Sequence, residues 1–171
     1  ELNLAFDIDH SIEDYLKVIE GKTASLIRTS ARLGALASNA DNEIVDAISN
    51  WGWYCGIIFQ ISDDILDLTS DTETLGKPTG NDIIEGTYTL PVLIALESDK
   101  GKYQELINSV HEGKSNIESL LNEFSNDNII EKSKDLIYSY HSKSVESIYN
   151  LKNHDLFPTL ENINNYLINR T

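Results

Sequence analysis

The sequence predicts an all-α fold. Apolar residues recur at three- and four-residue spacings through most of its 171 positions, and no internal repeat is present. No run alternates apolar and polar residues as a half-buried strand would. The stretch richest in Gly, Thr and Asp falls between periodic segments and not inside one.

The first element runs from Ser11 to about Ser38. Ile12, Tyr15, Leu16, Ile19, Leu26, Ile27, Leu33 and Leu36 suit one long amphipathic helix, with a break expected near Gly21. Ser11 followed by Asp14 resembles a capping pair at its start, and the small residues of "SARLGALAS" allow a neighbouring helix to approach closely. A second long helix is predicted from about Asn42 to Leu68. In "TSDTETLGKPTGNDIIEG", Gly76, Pro78, Gly80 and Gly86 argue against a regular helix. "TLPVLIALES" restarts one, with Pro91 tolerated in its first turn. More polar helices follow in "GKYQELINSVHEG", "NIESLLNEF", a longer segment from about Asp127 to Asn150, and "LFPTLENINNYLINR".

With 13 Lys and Arg against 28 Asp and Glu, the net charge is −15. Nucleic acid and anionic membranes both require basic surface, so neither is an expected partner. A polyanionic substrate remains compatible if cations bridge it to the protein. Cys55 is the single cysteine, which excludes an intramolecular disulfide and suits a reducing, cytoplasmic setting. The four histidines are scattered, without zinc-ligand spacing. The longest apolar run, Trp51 to Leu68, is interrupted by Gln60 and aspartates, so no transmembrane segment is expected. No signal peptide is visible.

The segment "FQISDDILDLTSD" sets Asp63, Asp64 and Asp67 among strongly apolar neighbours. At about 100° per residue, Gln60, Asp63 and Asp67 share one stripe, with Asp64 beside it. Carboxylates this close repel unless a cation lies among them, and hard oxygen ligands suit Mg²⁺. The other reading is a solvated acidic patch. An EF-hand loop is excluded, because the required Gly and Glu spacing is missing. Lys77 follows in the glycine-rich stretch, as a compact cation suited to phosphate or as surface decoration. Lys22 and Thr23 lie inside an apolar helical pattern, where Lys22 could equally snorkel at a helix edge.

Taken together and in this order, "KTASLIRTSARLGA", "FQISDDILD" and "LGKPTGNDIIEGTYTLPVL" resemble the C-terminal half of the all-trans polyprenyl diphosphate synthases. The resemblance covers Tyr15 to Leu96 and includes the large subunits of heptaprenyl and hexaprenyl diphosphate synthases. It implies a helical bundle of the isoprenoid synthase type around an apolar cavity, with residues 1–171 forming the C-terminal portion of one such domain. It further implies Mg²⁺-dependent prenyl transfer, in which isopentenyl diphosphate condenses with an allylic diphosphate to give an all-trans polyprenyl diphosphate. By matching position, Asp63, Asp64 and Asp67 become metal ligands, Asp63 most directly. Lys22 and Lys77 contact the allylic diphosphate, Thr23 and Gln60 lie near the reacting carbons, and Asp82 supports the loop and the metal's water shell. A homodimer, or a heterodimer with a small subunit, is the assembly it implies.

Departures accompany the match. The family's first aspartate-rich motif, its arginine pair and its Gly-Lys-Arg element belong upstream of Lys22, and none occurs in the 171 residues. Thr87 stands where many relatives have lysine. With no methionine in the chain, the expectation is a fragment of a longer synthase that is inactive alone. A naturally separate partner subunit and an acidic helical protein-binding module are the alternatives.

Overall fold

The computed structural model describes residues 5–70 and 79–170. The expected loop lysine, Lys77, lies outside the described residues, as do Gly76 and Pro78. No strand occurs among the described residues, and the helices follow the predicted order. They are α1 (Ile12–Ile19), α2 (Ser25–Ala37), α3 (Asn42–Thr69), α4 (Asn81–Ile84), α5 (Leu90–Ser98), α6 (Lys100–His111), α7 (Ile117–Asn126), α8 (Ile129–Ser147) and α9 (Phe157–Ile168).

The expected start of α1 is present as a reciprocal cap. Asp14 N–H donates to Ser11 Oγ at 3.1 Å, and Ser11 Oγ–H donates to the Asp14 carboxylate at 2.8 Å. The break near Gly21 takes the form of a π-helical turn, Glu20–Ala24, in which Ser25 N–H reaches back to Glu20 O. One expectation needs correction. The glycine-rich stretch does hold one short helix, α4, because Gly80 enters it with a left-handed φ of +72° that a side chain would resist. The longer helix expected from about Asp127 to Asn150 is present with slightly tighter bounds, Ile129 to Ser147, followed by a 3₁₀ turn at Tyr149–Leu151. At its start Asn128 turns the chain with φ +56°, a conformation asparagine tolerates.

The chain divides into two compact units. The first comprises Glu1–Tyr15 and Asp63–Asp135. Its core draws on Ile65, Ile83, Leu90, Val92, Tyr103, Ile107, Leu120 and Phe124, all essentially inaccessible. Helix α5 is apolar nearly all round and is buried accordingly, with Pro91 in its first turn. Helices α6 and α7 are joined where Lys102 pairs with Glu123 at 2.6 Å and Asp127 at 2.9 Å, while Tyr103 Oη–H donates to Asp127.

The second unit comprises Leu16–Ser62 and Leu136–Thr171. Ile57, Ile58, Ile61, Ile137 and Ile148 contribute to its core. A polar knot lies within it: Trp51 Nε1–H, Ser144 Oγ–H and Cys55 Sγ–H all converge on Asn164 Oδ1, at 3.0, 2.9 and 3.3 Å. This knot ties α3, α8 and α9 together.

Candidate functional site

In the second unit the π-turn carries Lys22 and Thr23. Thr23 Oγ1–H donates to Gln60 Oε1 at 2.7 Å, so residues 37 positions apart meet as one polar pair. Two glycines of α3 permit that approach. A Cβ at Gly56 would overlap Ala24 Cα and come within 3.0 Å of Ala24 Cβ. At Gly52 it would meet Ala31 Cβ at 2.9 Å and Ile27 O at 3.2 Å. Ala31 belongs to the small-residue stretch that the sequence marked for close packing. Lys22 is exposed on the turn. A π-turn in place of regular helix is a frequent mark of a functional position.

In the first unit the end of α3 carries Asp63, Asp64 and Asp67. Asp64 is 4% exposed and Asp67 2%, whereas Asp63 is only half-buried. Burial of a carboxylate demands donors. Tyr15 Oη–H supplies one to Asp64 Oδ2 at 2.6 Å, within the range of a charge-assisted hydrogen bond. Asp67 is bound to the start of α4: Gly80 N–H donates to its backbone carbonyl at 2.8 Å and Asp82 N–H to its Oδ2 at 3.3 Å. Thr79 Oγ1–H closes onto Ser70 O at 3.0 Å. Asp82 is therefore held against Asp67 through its backbone, and its own carbonyl accepts Thr87 N–H at 2.8 Å.

Among the described residues no three His, Cys, Asp or Glu side chains are gathered so as to hold a metal ion by themselves. The donors present are nevertheless of the kind Mg²⁺ prefers, all hard oxygens. Asp63 is the most accessible of the three carboxylates, while Asp64 and Asp67 also hold the surrounding structure. Such a donor set would hold a hard cation only with further oxygen ligands to complete its shell.

The sequence reading did not find Tyr15 as the partner of Asp64, nor the role of Gly52 and Gly56. The four-residue spacing of those glycines was a signal available in the chain. Tyr15 carried none beyond its place on the apolar face of α1.

The chain belongs to the polyprenyl synthetase family, which it matches over residues 1–126. It is 40% identical over 147 residues to heptaprenyl diphosphate synthase component 2 of Bacillus subtilis (strain 168), covering 85% of this chain and 42% of that protein. The crystal structure of heptaprenyl diphosphate synthase from Staphylococcus aureus superposes with a TM-score of 0.82 at 30% identity, over 94% of this chain and 52% of that one. A polyprenyl synthase from Caulobacter crescentus CB15, complexed with calcium and isoprenyl diphosphate, gives 0.85 at 27% identity, over 98% and 52%. The all-α isoprenoid-synthase fold expected from the sequence is thus present. The chain spans about half the length of the relatives it matches.

Proposed function

We propose that this chain supplies one side of the catalytic centre of an all-trans polyprenyl diphosphate synthase. The observation that carries the reading is α3 itself, one helix bearing Gln60, paired to Thr23, and the Asp63–Asp64–Asp67 group. The reaction joins C1 of an allylic diphosphate to the terminal alkene carbon of isopentenyl diphosphate. The allylic C–O bond breaks with departure of diphosphate, the alkene electrons form the new C–C bond, and loss of a proton restores a double bond. Mg²⁺, when bound, neutralises charge developing on the leaving diphosphate.

The chain's residues take distinct parts in that scheme. Asp63 is the direct metal ligand; Asp64 and Asp67 complete the acidic group, and Asp82 steadies Asp67. Lys22 and Lys77 contact the allylic diphosphate as compact cations. Thr23 and Gln60 face the reacting carbons. Because the Thr23 hydroxyl donates its hydrogen bond to Gln60, its oxygen lone pairs remain to stabilise positive charge on the allylic fragment.

The substrates are the two diphosphates, and the setting is cytoplasmic. No described helix is long and apolar enough to cross a membrane. The word "component" in the name of the Bacillus relative supports a heteromeric assembly as the alternative to a homodimer. The 171 residues are expected to be inactive alone, because transition-state charge must be met from both sides of the site. Radiolabelled isopentenyl diphosphate with an allylic primer and Mg²⁺ tests this. We expect no chain extension by the pure chain, and extension once a segment matching the other half of the relatives is co-expressed. Robust extension by the chain alone would contradict the assignment.

A further inference from the structure

We propose that Tyr15 is a positioning residue for the metal-binding end of α3, an inference that rests on the reading of Asp63 as a metal ligand. The tyrosine ring is 5% exposed and would fill its place equally well as phenylalanine; only the hydroxyl distinguishes the two. That hydroxyl donates to Asp64 at 2.6 Å. Neighbouring helical positions differ by about 100° in direction. Fixing Asp64 from outside α3 therefore also fixes the direction in which Asp63 projects.

The strut is itself anchored at its other end. Tyr15 lies in the first turn of α1, which the Ser11–Asp14 cap locks. The preceding residues are strapped to the turn that follows α4. Phe6 N–H donates to Gly86 O at 2.8 Å, and the His10 ring spans the carbonyls of Asp7 and Tyr88 at 2.6 and 3.1 Å. Asp9 pairs with Lys100. Gly86 has φ +77°, a left-handed conformation that a side chain would resist, and a Cβ there would also meet the Phe6 ring. Residues 5–15 thus grip the acidic group from two directions: Asp64 directly, and Asp67 through the turn after α4 and α4 itself, which carries Asp82. The arrangement lies wholly within the first unit.

The test is amide hydrogen exchange over residues 60–70 of the 171-residue chain, with Mg²⁺ titrated in the presence of inorganic diphosphate. The unmodified chain is expected to gain protection there as Mg²⁺ rises. Tyr15→Phe should move the Mg²⁺ midpoint upward by about tenfold, the scale of one lost hydrogen bond to a charged group. Ile19→Val is the control: it trims a buried residue of the same helix and should lower the melting temperature without moving the midpoint. An unchanged midpoint for Tyr15→Phe, or an equal shift for Ile19→Val, would overturn the inference. Asp63→Ala separates the two readings. If it leaves the Mg²⁺ response intact, the metal assignment fails whatever Tyr15 does. If it abolishes the response while Tyr15→Phe changes nothing, only the role of Tyr15 fails. Absence of any response in the unmodified chain would remove both.

Discussion

Gly56 has no room for a methyl group. The atoms a Cβ would meet are backbone atoms of Ala24 as well as its side chain, and backbone cannot swing aside. Gly56→Ala must therefore push the π-turn from α3, and Thr23 with it. We expect a loss of about 1–3 kcal/mol in urea unfolding, together with rapid exchange of the Thr23 hydroxyl that Gln60 now holds. Stability within 0.5 kcal/mol of the parent, on the order of a neutral surface change, would show that the packing is looser than described. Cys55, one residue away, illustrates the opposite constraint. Burial raises its thiol to about 12, partly offset by a contact with Ser144, so it remains protonated at neutral pH and serves as packing and as a weak donor.

Helix α9 is held through a single polar atom. Asn164 Oδ1 accepts three buried donors, from Trp51, Cys55 and Ser144. Asn164→Ala should strand all three and cost roughly 3 kcal/mol, read as a lower urea midpoint with early exchange of α9 amides. A change confined to a few tenths of a kcal/mol, the order of a surface substitution, would mean that other groups take over those donors. Where the sequence was informative, the signal was local. The Ser11–Asp14 cap, the length of α3 and the Pro91 start of α5 each depend on residues within a turn or two. The pairings Thr23–Gln60 and Tyr15–Asp64 were not legible, because periodicity tells which face a residue occupies and not what it meets. The π-turn shows the same limit. A break was visible at Gly21, yet a Cβ there would meet nothing within 4 Å. What the turn does instead is bring Thr23 to Gln60 and seat Ala24 on Gly56. The glycine marked the place without supplying the reason.

At the scale of the molecule, a charge of −15 and the proposed diphosphate substrate are reconciled through cations. Basic residues are few: Arg28, Arg32 and Arg170 are the only arginines in the sequence. Two of them lie on α2, which has no acidic residue and no buried residue. Leu26, Leu33 and Leu36 of that helix are 68%, 59% and 46% exposed, an unusual apolar surface for so acidic a chain. The central proposal is that the chain grips an allylic diphosphate through metal held at the acidic end of α3. Calorimetric titration of an allylic diphosphate into the 171-residue chain, with Mg²⁺ and again with a chelator, tests it directly. We expect saturable heat in Mg²⁺ that disappears on chelation and in Asp63→Ala. No binding in Mg²⁺, or binding that survives both the chelator and Asp63→Ala, would contradict it and leave an acidic helical protein-binding module as the better account.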